Sequence, residues 1–449
     1  MTHQVRGPAH ARVEMPRLSA LETLRVWMVA LGPVLAQGVI VRRPRMVALA
    51  EKLDADRRAG RLLQDLRDRY GPGPVRLRVP GRSVALVLSA ADVQRVLEES
   101  PEPFTPASKE KRAALSHFQP DGVLISQGRP RQERRQVNEA ALDTHQPVHR
   151  LAGSFQTKVR EEARQILAAA GESGQLGWAE LAAGWWALVR RVVLGDAARD
   201  DHEVTDLLTE LRQDANWAYL RRPREELRER FMARLRTHLR RAEPDSLAGM
   251  LADIPGRRAT DREGQVPHWL FAFDAAGIAA FRTLALLATH PAHRARAREE
   301  LSAWETGTLR YLRACVQESV RLWPTTPVVL RDSTTETMWP GGVLPAGTAF
   351  LILSSFFHWD EWTLPYADRL TPEIWLDGRA SDGPLIPFSA GPAACAGRNL
   401  VLFLTSSLLA ALLDAADFRL LSPRLDHRHP LPRTLNHFSL RFATRRLES

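Results

Sequence analysis

Cysteine is nearly absent from this chain of 449 residues: only Cys315 and Cys395 occur. Two thiols exclude a disulfide framework and point to a reducing, cytoplasmic compartment. Internal repeats and low-complexity tracts are absent. The glycine- and proline-rich stretches, such as 71–74 and 324–327, are too short to act as linkers, so nothing divides the chain. The N-terminal region has no convincing membrane span: residues 26–41 are apolar apart from Gln37, but they are too short, broken by Pro33 and flanked by Arg25 and by Arg42 and Arg43. Glu22 and the lack of a small-residue cleavage site argue against a secretory leader. The segment is expected to be a helix packed on the domain. The alternative is weak peripheral contact with anionic lipid through Arg42, Arg43 and Arg45.

The net charge of +10 comes from arginine, clustered at 131–135, 221–230 and 234–241. The middle cluster is interleaved with Glu225, Glu226 and Glu229 at helical spacing, which makes a solvated, ion-paired face. No zinc spacing or aromatic-basic pattern accompanies the clusters, so nucleic acid is not an expected partner. With 44% hydrophobic residues the chain can bury one large core.

Against this background Cys395 stands out in Phe388-Ser-Ala-Gly391-Pro-Ala-Ala-Cys395-Ala-Gly397, just before an apolar helix that starts near Arg398. A thiolate at a helix N-terminus is favoured by the dipole and by free N–H groups. Gly391 and Gly397 allow a tight turn and close backbone approach. The pattern suits a thiolate ligand to iron, whereas a lone cysteine is ordinarily a buried structural residue. Cys315 is expected to be such a residue. Upstream, Glu318 and Arg321 lie one turn apart on a helix expected over 308–322 and ended by Trp323-Pro324. Between the two motifs runs Tyr366-Ala-Asp-Arg369-Leu-Thr-Pro372-Glu-Ile374-Trp375.

In this order the segments resemble those of the cytochromes P450: ExxR, a Pro-Glu-x-aromatic segment, and FxxGxxxCxG. The likeness covers about residues 50–445. It extends to a hairpin around Pro80-Gly81 and to a helix over 131–142. It implies a mainly α fold with small β-sheets, with 1–49 a helical extension and 50–449 the family domain. The cofactor implied is haem b, iron protoporphyrin IX, held by Cys395 with Phe388, Gly391 and Gly397 shaping the loop. The family's Arg or His two positions before the cysteine is Ala393 here. The aromatic or His four before the helix arginine is Pro130. Arg331, with Arg134 or Arg131, is therefore implied as the propionate-binding set. Ile374 replaces the arginine that completes a Glu-Arg-Arg network with Glu318 and Arg321, leaving Arg369 as the nearest substitute.

On the distal helix, Gly277 resembles the glycine of (A/G)Gx(D/E)T, which places Ala279 and Ala280 where the family has its acid and alcohol. Proton donors are then sought in Asp274, Thr283 or a substrate hydroxyl, and Arg282 is expected to be salt-bridged or to reach solvent. Pocket loops are implied at 104–126, 216–222, 324–329 and 435–438. The resemblance implies a monomeric monooxygenase acting on a small, mostly apolar molecule, with electrons from an acidic ferredoxin or flavodoxin and its reductase. Two alternatives stand beside it. One is peroxide use, or a rearrangement, dehydration or coupling; the other is a non-catalytic haem-binding protein.

Overall fold

The computed structural model describes residues 15–254, 261–306, 308–381 and 383–447. The helices that build the site, numbered in chain order, are α1 (Gly128–Ala141), α2 (Ala152–Ser173), α3 (Trp178–Leu194), α4 (His202–Ala215), α5 (Val266–Thr289), α6 (Arg310–Leu322) and α7 (Arg398–Ala415). The longest of these, α5, is apolar on nearly every side, which marks a helix enclosed by protein. It begins with Pro267 in its first turn, where a missing N–H costs nothing, and ends before His290-Pro291. Both α5 and α7 are apolar enough to cross a bilayer, yet 72% of each apolar window is buried inside the fold. They are core helices.

Among the described residues ten short strands complete the architecture: β1 (Val75–Arg76), β2 (Val84–Leu86), β3 (Phe104–Thr105), β4 (Leu176–Gly177), β5 (Val328–Ser333), β6 (Thr337–Trp339), β7 (Gly342–Leu344), β8 (Ala349–Leu353), β9 (Ala416–Ser422) and β10 (Arg441–Arg446). They form a five-stranded sheet in the order β1-β2-β8-β5-β3, a three-stranded sheet β4-β10-β9, and the β6-β7 ribbon. The hairpin expected around Pro80-Gly81 is the antiparallel β1-β2 pair, in which Val75 faces Leu86. β2 then runs parallel to β8, tying the N-terminal part of the chain to the segment that follows α6.

Among the described residues two large apolar clusters form most of the interior, with a small third one around Leu364, Ala367, Ile374 and Leu385. The largest fills the space among α1 to α7. The second backs the five-stranded sheet and takes in Met15, Leu18, Val26, Ala30 and Leu31, so the N-terminal segment is packed onto the sheet. That segment is helical over 20–37, with a wide turn at Trp27–Leu31 preceding Pro33. Ser19 caps it, reciprocated by Glu22. Arg42 points inward, donating to Gly38 O at 3.1 Å and Thr325 O at 2.9 Å, so it is not directed at lipid.

Candidate functional site

The loop carrying Cys395 is shaped by its own backbone. The Cys395 N–H donates to Phe388 O at 3.0 Å, closing the turn, and Ser389 N–H donates to Ile386 O at 3.1 Å. Gly391 has φ +65, and a Cβ there would lie 2.1 Å from Leu97 O. Glycine is therefore required on two grounds. Gly397 is different: its φ is −87, and an added Cβ would meet only Leu142 Cδ1, at 3.9 Å. The argument for close approach holds for Gly391 and fails for Gly397 among protein atoms. Gly391→Ala is accordingly expected to lower the melting temperature by several degrees. The left-handed backbone alone costs a side chain about 1–3 kcal/mol, and the clash adds to it. A melting curve superimposable on wild type would contradict this reading.

Cys395 is accessible to solvent although protein surrounds it closely enough to desolvate it. Burial pushes its thiol up, while a hydrogen bond from the Gly397 N–H and the fields of Arg135 and Arg398 pull it down. These are the features of a sulfur that becomes thiolate when a metal binds it. Arg135 donates to Ala394 O at 2.7 Å and pairs with Glu139 at 2.6 Å. Arg398, at the start of α7, is tethered to Gln317 at 2.8 Å.

Behind this loop lies a pair of fully buried charges. Arg321 forks onto Glu318, Nε to Oε2 at 2.9 Å and Nη2 to Oε1 at 2.7 Å, and both side chains have 0% exposure. The remaining valences are satisfied. Arg321 donates to the carbonyls of His358, Ala367 and Arg369, and Glu318 accepts from Thr371 N–H and Trp375 Nε1, both at 2.9 Å. The expected third arginine is corrected here: Arg369 joins only through its carbonyl, and its side chain is 78% exposed. An indole N–H, from Trp375, takes the place of the third guanidinium, so the net charge of the cluster is zero. His358 links this network to the loop. Its Nε2 accepts from Ile386 N–H at 2.9 Å, which leaves Nδ1–H to donate to Arg321 O at 3.1 Å.

Three cations converge on the far side of the loop. Arg331, on β5, donates to Ser389 Oγ at 3.2 Å and Ser100 Oγ at 3.0 Å. Arg131, on α1, donates to Val123 O at 2.9 Å. Lys111 donates to Leu330 O at 3.2 Å. Among the described residues none of the three has a carboxylate within salt-bridge distance. Burial and the neighbouring Arg131 lower Arg331 to about 10. Burial and Arg135 lower Arg131 to about 10 as well, and burial together with both arginines depresses Lys111. Such a cradle lacks anionic charge, which the propionates of a haem would supply. Arg134 does not belong to it, because Asp121 at 2.7 Å and Ser126 at 2.6 Å engage it. Sequence reasoning missed Lys111, for which no local motif gives a signal.

The opposite wall is α5. In the N-terminal half of this helix, His268, Phe271, Ala272, Asp274 and Ala275 form a partly accessible stripe. Burial, and then the charge of Lys111, lower His268 to about 4, so the stripe begins within electrostatic reach of the cation cradle. Gly277 and Ala280 lie on other faces, and Ala279, although in line with Ala275 one turn on, is enclosed by packing, which corrects their expected catalytic placement. A Cβ on Gly277 would strike the Trp185 ring of α3 at 2.7 Å. Ala279 and Ala280 are 3% and 2% exposed, and the Ala279 carbonyl accepts hydroxyls from Thr283 at 2.8 Å and Ser319 at 3.2 Å. Thr283 is thereby turned away from the site. Asp274 faces it but is bound by Arg212 of α4 at 2.5 Å. Arg282 is neither salt-bridged nor free: it donates to the Leu435 and Trp323 carbonyls.

The family model described as Cytochrome P450 matches residues 274–441, the stretch holding Asp274, Glu318, Arg321 and Cys395. The cyclooctat-9-en-7-ol 5-monooxygenase of Streptomyces melanosporofaciens is 32% identical over 139 residues, 28% of this chain and 30% of that protein. The cytochrome P450 monooxygenase astF of Aspergillus oryzae is 38% identical over 112 residues, 25% of this chain and 21% of that one. The match thus spans less than a third of these relatives. Solved structures are similar over far more of the chain. Retinoic acid bound cyanobacterial CYP120A1 superposes with a TM-score of 0.70 at 19% identity, covering 86% of this chain and 94% of that one. Cytochrome P450 CYP102L1 gives 0.71 at 18%, covering 87% and 94%.

Proposed function

We propose, for a chain that belongs to the cytochrome P450 family, that it binds haem b through Cys395 and oxygenates a small, mostly apolar molecule. The observation that carries this reading is Cys395 itself, backed by the Gly397 N–H and faced across the site by cations without carboxylates. When bound, the haem supplies the oxidation chemistry. Arg331, Arg131 and Lys111 hold its propionates by charge-assisted bonds. The buried network of Glu318, Arg321 and Trp375 keeps the loop in register through His358 and Ile386. Phe271, Ala272 and Ala275 confine the substrate and exclude water. The Asp274 carboxylate moves protons towards the site when Arg212 releases it, since proton transfer needs a positioned donor.

Two electrons and two protons accompany each oxygen atom inserted from dioxygen, the second atom leaving as water. We assign the electrons to a separate acidic carrier, a ferredoxin or flavodoxin, drawn to a chain with ten positive charges in excess. A cytoplasmic location fits the two free thiols. The second reading, peroxide use, is favoured by Ala275, which presents a methyl group rather than a hydroxyl next to Asp274.

The test is optical. Purified protein, reduced under carbon monoxide, is expected to show the red-shifted Soret band of thiolate-ligated haem, and Cys395→His is expected to abolish it. Haem-loaded, folded wild-type protein with a histidine-type band would overturn the assignment. Product formed with NADPH, reductase and ferredoxin, against peroxide alone, separates the two oxidants.

A further inference from the structure

Beyond the cradle lies a second charged lining, in a cavity walled by Val34, Val47, Ile278, Pro324, Pro327 and Leu435. Arg42, Asp56, Arg282 and His437 border it. The first three are partly accessible although protein strongly desolvates them, because what they face is the cavity. A guanidinium carries five N–H donors. Arg282 uses Nε, Nη1 and Nη2 on the carbonyls of Leu435 and Trp323. Arg42 uses Nη1 and Nη2 on Gly38 O and Thr325 O. Both retain donors, and among the described residues neither has a carboxylate within salt-bridge distance.

The acidic groups nearby are committed elsewhere. Asp56 accepts the Thr434 hydroxyl, and burial raises it. Glu51 accepts the Asn436 N–H at 3.0 Å. Asp274 is held by Arg212. Arg433, the other cation on the lining, is matched by Glu361 and stacks on Trp359. His437 is driven well below its ordinary value, chiefly by burial and then by Arg282 and Arg42, so it is neutral; its Nδ1 is buried without a partner. Counting Asp56 as ionised, the lining carries two unpaired guanidinium charges against one carboxylate. One negative charge from a ligand balances it, in a setting where apolar walls make such pairing strong.

We infer that Arg42 and Arg282 form a carboxylate subsite, and that the substrate of the proposed oxygenation is an aliphatic monocarboxylic acid oxidised away from its acid end. This deepens the haem-thiolate reading and rests on it. The geometry sets the distance. Arg282, Ile278 and Ala275 follow one another along a single side of α5, and the seven residues from Arg282 to Ala275 rise about 10 Å. An alkyl chain anchored at Arg282 passes Ile278 and reaches the accessible stripe at Ala275.

Equilibrium dialysis of the haem-loaded full chain against decanoate and against decan-1-ol tests the subsite without requiring turnover. Wild type is expected to hold decanoate at least tenfold more tightly than the alcohol. Arg42→Leu with Arg282→Leu is expected to bring the two within about twofold, mainly by weakening the acid, and Arg282→Lys to retain part of the preference. Equal affinities in wild type, or a preference that survives the double variant, would overturn the proposal; the wild-type comparison decides the matter even if the double variant fails to fold. The carbon monoxide spectrum of the same preparation keeps the two readings apart. A thiolate band without acid preference removes the subsite alone, whereas a missing band removes the parent assignment.

Discussion

Glu318→Ala or Arg321→Ala is expected to leave little soluble, haem-loaded protein. Each change strands one member of a bidentate pair that has no access to water, at a cost of about 3–5 kcal/mol. That is a large part of the 5–15 kcal/mol by which domains are ordinarily stable. The damage extends beyond the pair. Without Arg321 the carbonyls of Ala367 and Arg369 lose their donor. Without Glu318 the Thr371 N–H and Trp375 indole lose their acceptor. Arg321→Lys keeps the charge but not the fork, and is expected to be impaired as well. The measurements are haem per protein and the thermal midpoint. Wild-type values in both alanine variants would show that the network does not hold the loop.

How much of this was legible in the sequence depends on the kind of constraint. Cys395, Gly391, Glu318 and Arg321 announce themselves because ligation, a left-handed backbone and an i,i+3 ion pair leave fixed spacings. Arg331 is findable because Pro324-Thr-Thr-Pro327 places it. The third network member is not findable in the same way. Trp375 and Arg369 are both plausible donors near Glu318, and only the path of the loop decides that the indole enters while the guanidinium leaves. Lys111 is likewise invisible, since it reaches Arg331 from a distant segment. The small sheets, built from two- to seven-residue strands, have pairings set by long-range contacts, such as β2 with β8, that no local pattern encodes.

On the distal helix the local pattern points to Gly277 as the motif glycine, but its missing side chain makes room for Trp185 rather than for a cofactor. Five residues separate Ala275 from Ala280, which turns the helix about 140° from its starting direction. Ala280 therefore points away from the accessible stripe, whereas Ala279, four residues from Ala275, lies in line with it but is closed off by packing. In a helix that is apolar all round, hydrophobic periodicity gives no correction.

This displacement makes a sharp prediction. Installing an acid and an alcohol in the Gly277 frame, as Ala279→Asp with Ala280→Thr, is expected to prevent folding rather than improve catalysis. Ala279 and Ala280 are packed within the core, beside a carbonyl already occupied by Thr283 and Ser319. A carboxylate there has no donor to meet and costs several kcal/mol, and the added volume costs about 1–3 kcal/mol more. Ala275→Thr, by contrast, places a hydroxyl on the accessible stripe beside Asp274. It is expected to melt within about 2 °C of wild type and to raise product formed per NADPH several-fold, below the roughly 10²–10⁴-fold ceiling for one well-placed proton donor. Melting curves and the ratio of product to NADPH consumed read both arms. A double variant as stable as wild type, or an Ala275→Thr protein that does not fold, would mean that Ala279 and Ala280, and not Ala275, border open space.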